Sequence, residues 1–152
     1  MTEDRQPFGI AMIGAGMVAK THVHAIRDAD PPCRLVGIMG RSAVRTSRFA
    51  EEAGQILGHP VEVLSDLAAV CADDRVDAAL IVTPPDARVA LVRPLAEAGK
   101  AILLEKPVGR TVDEAEEVVA ICETAGVPLG IVFQHRMREA SLAAADLVAG
   151  GS

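Results

Sequence analysis

The chain has 152 residues, half of them hydrophobic, enough to bury a full core as one domain without disulfide or metal staples. It contains no Trp, no Tyr and only three Phe, so that core must be aliphatic, which suits parallel strands covered by helices on both faces. A formal net charge of −6 excludes a basic stripe for nucleic acid, and no apolar run approaches the ~18 residues that cross a bilayer.

Short β-branched runs alternate with helical patterns from end to end. After a short polar start, Met1 to Pro7, the first strand is expected over Phe8–Ile13 and a helix over Met17–Asp28. A strand over Arg34–Met39 and a helix over Ala43–Ala53 follow, with Gly54 as the helix stop. Next come a strand at Val61–Leu64, a helix at Leu67–Ala72, a strand at Ala78–Val82 and a helix at Ala87–Ala98, stopped by Gly99. The last units are a strand at Ala101–Leu104, a helix at Val112–Ala125 stopped by Gly126, a strand at Leu129–Phe133 and a helix from about Glu139 to Ala149. Thr111 and Glu114 form a capping-box signature, and Val112, Ala115, Val118, Val119 and Cys122 keep helical spacing along one apolar face. Strict strand–helix alternation with short connections predicts an α/β fold, a doubly wound parallel sheet of about six strands. Residues 1–150 make one domain by this reading, and 151–152 are a native loop stub or an expression remnant. Cys33, Cys71 and Cys122 are odd in number, widely spaced and embedded in apolar sequence, which predicts buried free thiols in a reducing, cytoplasmic compartment.

Gly14-Ala15-Gly16-Met17-Val18-Ala19 follows the first strand and opens the first helix. Gly14 lets the chain turn sharply, Gly16 lets a phosphate approach the backbone, and the small Ala19 permits tight helix–strand packing. A pyrophosphate would lie against free N–H groups at the helix start, Met17 and Val18 included, where the helix dipole favours it. The alternative is a plain tight turn. At the end of the second strand, a site for NAD places an acidic residue to accept the ribose 2′-hydroxyl. This chain has Met39-Gly40-Arg41-Ser42 there, then Arg45. Cations at a helix N-terminus are disfavoured by ~0.3–1 kcal/mol, and a bound 2′-phosphate would turn that penalty into a charge-assisted contact. NADP(H) is therefore expected ahead of NAD(H), the alternative being two solvated arginines on an exposed turn.

Glu105-Lys106-Pro107 sits at the end of the fifth strand, the edge where open α/β sheets bind ligands. An ammonium there would donate to a reacting oxygen or to the nicotinamide ribose, and favour an alkoxide during hydride transfer. Pro107 would restrict the turn through a cis bond and aim the lysine. Standing alone, the tripeptide would read as an ordinary loop lysine before a proline.

In combination, the motifs resemble those of the glucose–fructose oxidoreductase / inositol dehydrogenase / rhizopine catabolism (Gfo/Idh/MocA) family, over essentially the whole chain. The matching segments are Ile13-Gly14-Ala15-Gly16-Met17-Val18-Ala19-Lys20-Thr21-His22, Thr83-Pro84, Glu105-Lys106-Pro107 and Val132-Phe133-Gln134-His135-Arg136. The resemblance implies a Rossmann domain that binds a nicotinamide dinucleotide. It places Thr83-Pro84 near the adenine–ribose side and Lys106 against cofactor and substrate, and adds Glu105, Pro107 and Arg136 to the cofactor-contacting set. Two positions depart from the family pattern: Pro85-Asp86-Ala87-Arg88 stands where histidines often follow Thr-Pro, and Glu139 where a proline often follows the last arginine. The family's second domain carries the substrate pocket, most of the dimer interface and an Asp/His pair for proton transfer. Its absence here implies that a small-molecule substrate would be held only with that domain, and that the exposed remainder would favour homo-oligomers. A free-standing nucleotide-sensing module and a non-catalytic remnant are the rival readings; the first predicts a closed polar surface over residues 128–152, the fragment an exposed apolar patch. His22, on the first helix, serves helix packing or touches the cofactor; His135 and Arg136 approach the substrate or bridge to the second domain. His24 and His59 have no partners at metal-ligand spacing.

Overall fold

A computed structural model describes residues 7–151. Its elements, in chain order, are β1 (Phe8–Ile13), α1 (Ala19–Arg27), β2 (Cys33–Met39), α2 (Ala43–Leu57), β3 (Glu62–Val63), α3 (Leu67–Ala72) and β4 (Ala78–Ile81). After a 3-10 turn at Pro85–Ala87 come α4 (Arg88–Glu97), β5 (Ala101–Glu105), α5 (Val112–Ala125), β6 (Leu129–Val132), a second 3-10 turn at Gln134–Met137 and α6 (Glu139–Ala149). The strands form one parallel sheet in the order β3-β2-β1-β4-β5-β6. The chain thus leaves β1 in one direction for β2 and β3, then returns to its other side for β4, β5 and β6.

Alternation along the strands sends side chains to two separate cores. Ala11, Ile13, Ala79, Ile81, Ile102 and Leu104 pack with Val70, Val92, Leu95, Val118 and Cys122, from α3, α4 and α5. Met12, Leu35, Ile38, Leu80 and Val82 pack on the other face with Ala19, Val23, Ile26, Ala50 and Ala53, from α1 and α2. Both cores are aliphatic, with a half-buried Phe49 at the rim of the second. This is the doubly wound α/β fold that the alternation predicts.

Several local expectations need correction. Gly54 does not stop the second helix: α2 continues to Leu57 and closes on Gly58, whose φ of 73° is left-handed. Gly54 instead allows a close approach, since a Cβ there would lie 3.1 Å from His59 O, where the chain folds back along the helix. The first helix begins at Ala19 rather than Met17, because residues 14–18 form an open turn. On α5 the buried line is Val118, Ile121 and Cys122; Val112 and Val119 are exposed, one at the helix start and one rotated off the packed face. Of the three thiols only Cys122 is buried, Cys33 and Cys71 being half-buried at the edges of their elements. Burial pushes the Cys122 thiol up from its ordinary value. The cap of α5 is as expected on one side, with Thr111 Oγ1 accepting from Glu114 N–H at 3.2 Å. Glu114 reaches one residue further back than a capping box requires and accepts from Arg110 N–H at 2.7 Å.

Residues 133–149 carry an apolar surface. Phe133, Met137, Leu142, Leu147 and Val148 are all exposed, and α6 buries none of its residues. Among the described residues no helix is long and apolar enough to cross a membrane.

Candidate functional site

Because all strands are parallel, and β1 and β2 stay paired beyond a bulge at Val36, the C-terminal ends of β1, β2, β4, β5 and β6 share one edge. Ile13 pairs with Met39 on one side and Ile81 on the other, Ile81 with Leu104, and Leu104 with Ile131. The glycine turn, the Arg41 turn, the Thr83 loop and the Lys106 loop therefore all emerge at this edge. The order of the strands reverses between β1 and β4, which opens a crevice there.

A cleft of about 470 Å³ fills the crevice. Gly14 and Gly16 form its floor, Arg41, Ser42, Arg45 and Thr46 one wall, and Thr83, Pro84, Asp86 and Leu91 the other. Gly14 holds φ at 108°, and a Cβ there would crowd Val82 and Thr83 at 3.2–3.3 Å, so the fold itself demands glycine. Gly16 differs. Its φ is not left-handed and an added Cβ would meet only Val82 O at 3.8 Å, an ordinary contact. The fold leaves that space beside the backbone open on the cleft side, as a closely approaching phosphate requires. The N–H groups of Ala15, Gly16, Met17 and Val18 find no hydrogen-bond acceptor among the described residues. Residues and geometry thus fit a pyrophosphate.

The Arg41 wall is built by the start of α2. Ser42 caps that helix by accepting from Arg45 N–H at 3.4 Å, and the buried Thr46 donates its hydroxyl to Ser42 O at 2.8 Å. A Cβ at Gly40 would collide with Thr46 Oγ1, so the strand end packs tightly against the helix. The first turn of α2 holds no acidic residue, and both arginines are exposed at the cleft rim.

Of the residues expected to meet a dinucleotide, the cleft gathers Gly14, Gly16, Arg41, Ser42, Arg45, Thr83 and Pro84. Met17, Val18, Glu105, Lys106, Pro107 and Arg136 lie outside its lining. Met17 and Val18 are exposed on the turn, Lys106 and Pro107 on the neighbouring loop, and Arg136 on the 3-10 turn after β6. The Lys106–Pro107 peptide is cis, as the sequence predicts. Glu105 is buried with its carboxylate occupied: Oε1 lies 2.8 Å from His22 Nε2, and Oε2 accepts from Lys106 N–H at 3.1 Å. His22 therefore clasps α1 to the end of β5, a bond neither of its two sequence readings contained.

Arg88, noted in the sequence only as a departure, proves to be buried at 2% exposure. Its Nη2 donates to Thr83 O at 3.1 Å and makes a longer contact of 3.5 Å with Lys106 O. Its Nε and Nη1, and Thr83 Oγ1, have no partner among the described residues. Burial lowers the pKa of this guanidinium, and the negative charge of Glu105 offsets part of that effect. A buried arginine bonded to main-chain carbonyls leaves no motif, so sequence carried no signal for it beyond its unusual position. No group of three or more metal-ligating side chains occurs among the described residues.

A parallel sheet with a glycine turn at its switch point and an open cleft beyond it defines a dinucleotide-binding α/β domain. The chain belongs to the Gfo/Idh/MocA oxidoreductase family, whose NAD-binding Rossmann fold it matches over residues 8–133. It is 34% identical over 131 residues to D-apiose dehydrogenase of Paraburkholderia graminis, a match covering 86% of this chain and 33% of that protein. It is 33% identical over 135 residues to D-xylose 1-dehydrogenase (NADP(+)) 2 of Haloferax volcanii, covering 89% of this chain and 39% of that one. In fold it is similar to scyllo-inositol dehydrogenase of Lactobacillus casei, solved with NAD(H) and scyllo-inositol, with a TM-score of 0.81 at 22% identity, covering 96% of this chain and 42% of that one. The chain thus spans well under half the length of these relatives.

Proposed function

We propose that this chain holds the cofactor for an oxidoreductase that moves hydride to or from a sugar, polyol or similar carbonyl/alcohol substrate, with NADP(H) preferred over NAD(H). The observation that carries the reading is the cleft at the strand switch point, which joins the open Gly16 backbone to Arg41 and Arg45 at a helix start without any acidic residue. The free N–H groups of residues 15–18 receive the pyrophosphate, and Ser42, Arg41 and Arg45 receive the 2′-phosphate. Thr83 and Pro84 wall the adenosine side. When bound, the nicotinamide ring supplies or accepts the hydride. Lys106 donates to the reacting oxygen and favours its negative charge, while Met17, Val18, Pro107 and Arg136 border the outer face of the cofactor. Glu105 contributes by holding the Lys106 main chain. Lys106 alone does not orient a substrate or supply a general base, so the chain by itself turns over little or nothing. The exposed side chains of Phe133, Met137, Leu142, Leu147 and Val148 favour the fragment reading over a free-standing sensing module, which calls for a closed polar surface there.

The test is thermal stability against NADPH and NADH in separate titrations. Replacing Arg41 and Arg45 with Ala should cost NADPH about 1.5–3 kcal/mol of binding and leave NADH unchanged. Equal losses for both would remove the 2′-phosphate argument, and no stabilisation by either at about millimolar concentration would remove the cofactor assignment.

A further inference from the structure

We propose that Arg88 is a positioning residue whose buried guanidinium ties the loop after β4 to the loop after β5 and thereby sets where Lys106 presents its ammonium. The inference rests on the reading of Lys106 as a cofactor contact. Lys106 is exposed and sits on a flexible four-carbon stem, so its head group has a defined place only if its main chain is fixed. That main chain is held at both of its polar groups. Its N–H goes to Glu105 Oε2, whose other oxygen meets His22 from α1, and its C=O faces Arg88 Nη2 from the first residue of α4. The same Nη2 donates to Thr83 O, in the wall of the cleft. The opposite charges of Glu105 and Arg88 thus bracket the lysine backbone, and three elements far apart in sequence converge on it.

Stability does not explain this arginine. Two of its three guanidinium nitrogens lack partners among the described residues, and an apolar side chain of similar volume would avoid desolvating a charge. What an apolar residue cannot do is reach carbonyls of two different loops at once, which a planar, many-donor guanidinium does.

The test is a double-mutant cycle on the full chain, read as the dissociation constant of NADPH or NADH, whichever the wild type binds more tightly. The four proteins are wild type, Arg88→Met, Lys106→Met and the double variant. Arg88→Met should weaken binding about tenfold when Lys106 is present and less than about threefold when it is absent, because its effect runs through the lysine. An equal loss in both backgrounds, or no loss with Lys106 present, overturns the inference. So does a Lys106→Met variant that binds as tightly as wild type, an outcome that leaves the cofactor assignment standing. A wild-type chain that binds neither nucleotide removes both. If Arg88→Met lacks the native circular dichroism spectrum, the same cycle with Arg88→Lys, which keeps the charge and loses the planar fork, decides in its place.

Discussion

Gly16→Ala puts a methyl group into a place that the protein leaves open. The glycine has no left-handed backbone angle and its added Cβ would have Val82 O at 3.8 Å as its only neighbour, so the unliganded fold should tolerate alanine. Restricting the unfolded chain should even add ~0.4–1 kcal/mol of stability. A bound pyrophosphate would meet that methyl directly, and overpacking of this kind costs about 1–3 kcal/mol. Taking roughly 2 kcal/mol, affinity falls about thirtyfold. At a ligand concentration about a hundred times the wild-type dissociation constant, stabilisation then drops from ~2.7 to ~0.9 kcal/mol. For a chain of this size the melting shift shrinks from roughly 5–11 °C to about 2–4 °C. Gly14→Ala is the control. With φ at 108° and neighbours at 3.2–3.3 Å, it should lose ~1–3 kcal/mol in urea unfolding without any ligand. Differential scanning fluorimetry with and without NADPH, beside urea titrations, separates the two effects. If Gly16→Ala keeps the full ligand-induced shift, no phosphate approaches this backbone. If it unfolds as readily as Gly14→Ala, the glycine serves the fold alone.

Acid should weaken the cap of α5. The Glu114 carboxyl is held below the usual value of 4.5 first by its hydrogen bonds to the Arg110 side chain and next by the Arg110 N–H. A lowered folded value contributes stability that is fully present above the usual value of 4.5 and lost as pH falls through the lowered one, so the difference in urea midpoint between wild type and Glu114→Gln should hold above about pH 5 and shrink as acid titrates the carboxyl below that; a difference that widens in acid contradicts the assignment. Leu142→Lys with Leu147→Lys should reduce concentration-dependent self-association in sedimentation velocity while changing stability by less than ~0.5 kcal/mol, since α6 buries nothing. A larger loss of stability would mean that those leucines pack against the domain.

The parts of this structure that could be read in advance are those written locally. The aliphatic runs of β1, β2 and β5 mark strands buried on both faces, and Gly14 and Gly16 announce a turn whose chemistry depends on six consecutive residues. Where two segments meet, local signals misled. Gly54 looks like a helix stop until the approach of His59 explains it, and Val112 and Val119 fit a helical period without facing the sheet. The buried polar cluster behind Lys106 was the least accessible. His22 and Glu105 stand 83 residues apart, and Arg88 bonds to carbonyls five and 18 residues away. Carbonyls are present at every position, so no residue type marks the ones an arginine will reach.

The position of β1 has a bearing on how the chain matures as it leaves the ribosome. Of the six strands in the sheet, the earliest in sequence ends up central, flanked by β2 and by β4, so one of its long edges waits for residues 78–81. The cleft walls are complete at Leu91, yet the acid that clasps His22 is made only at position 105. Synthesis therefore completes the residues that line the cleft before it reaches the acid and the lysine beside them, and the long-range parallel pairings are the contacts expected to form slowly.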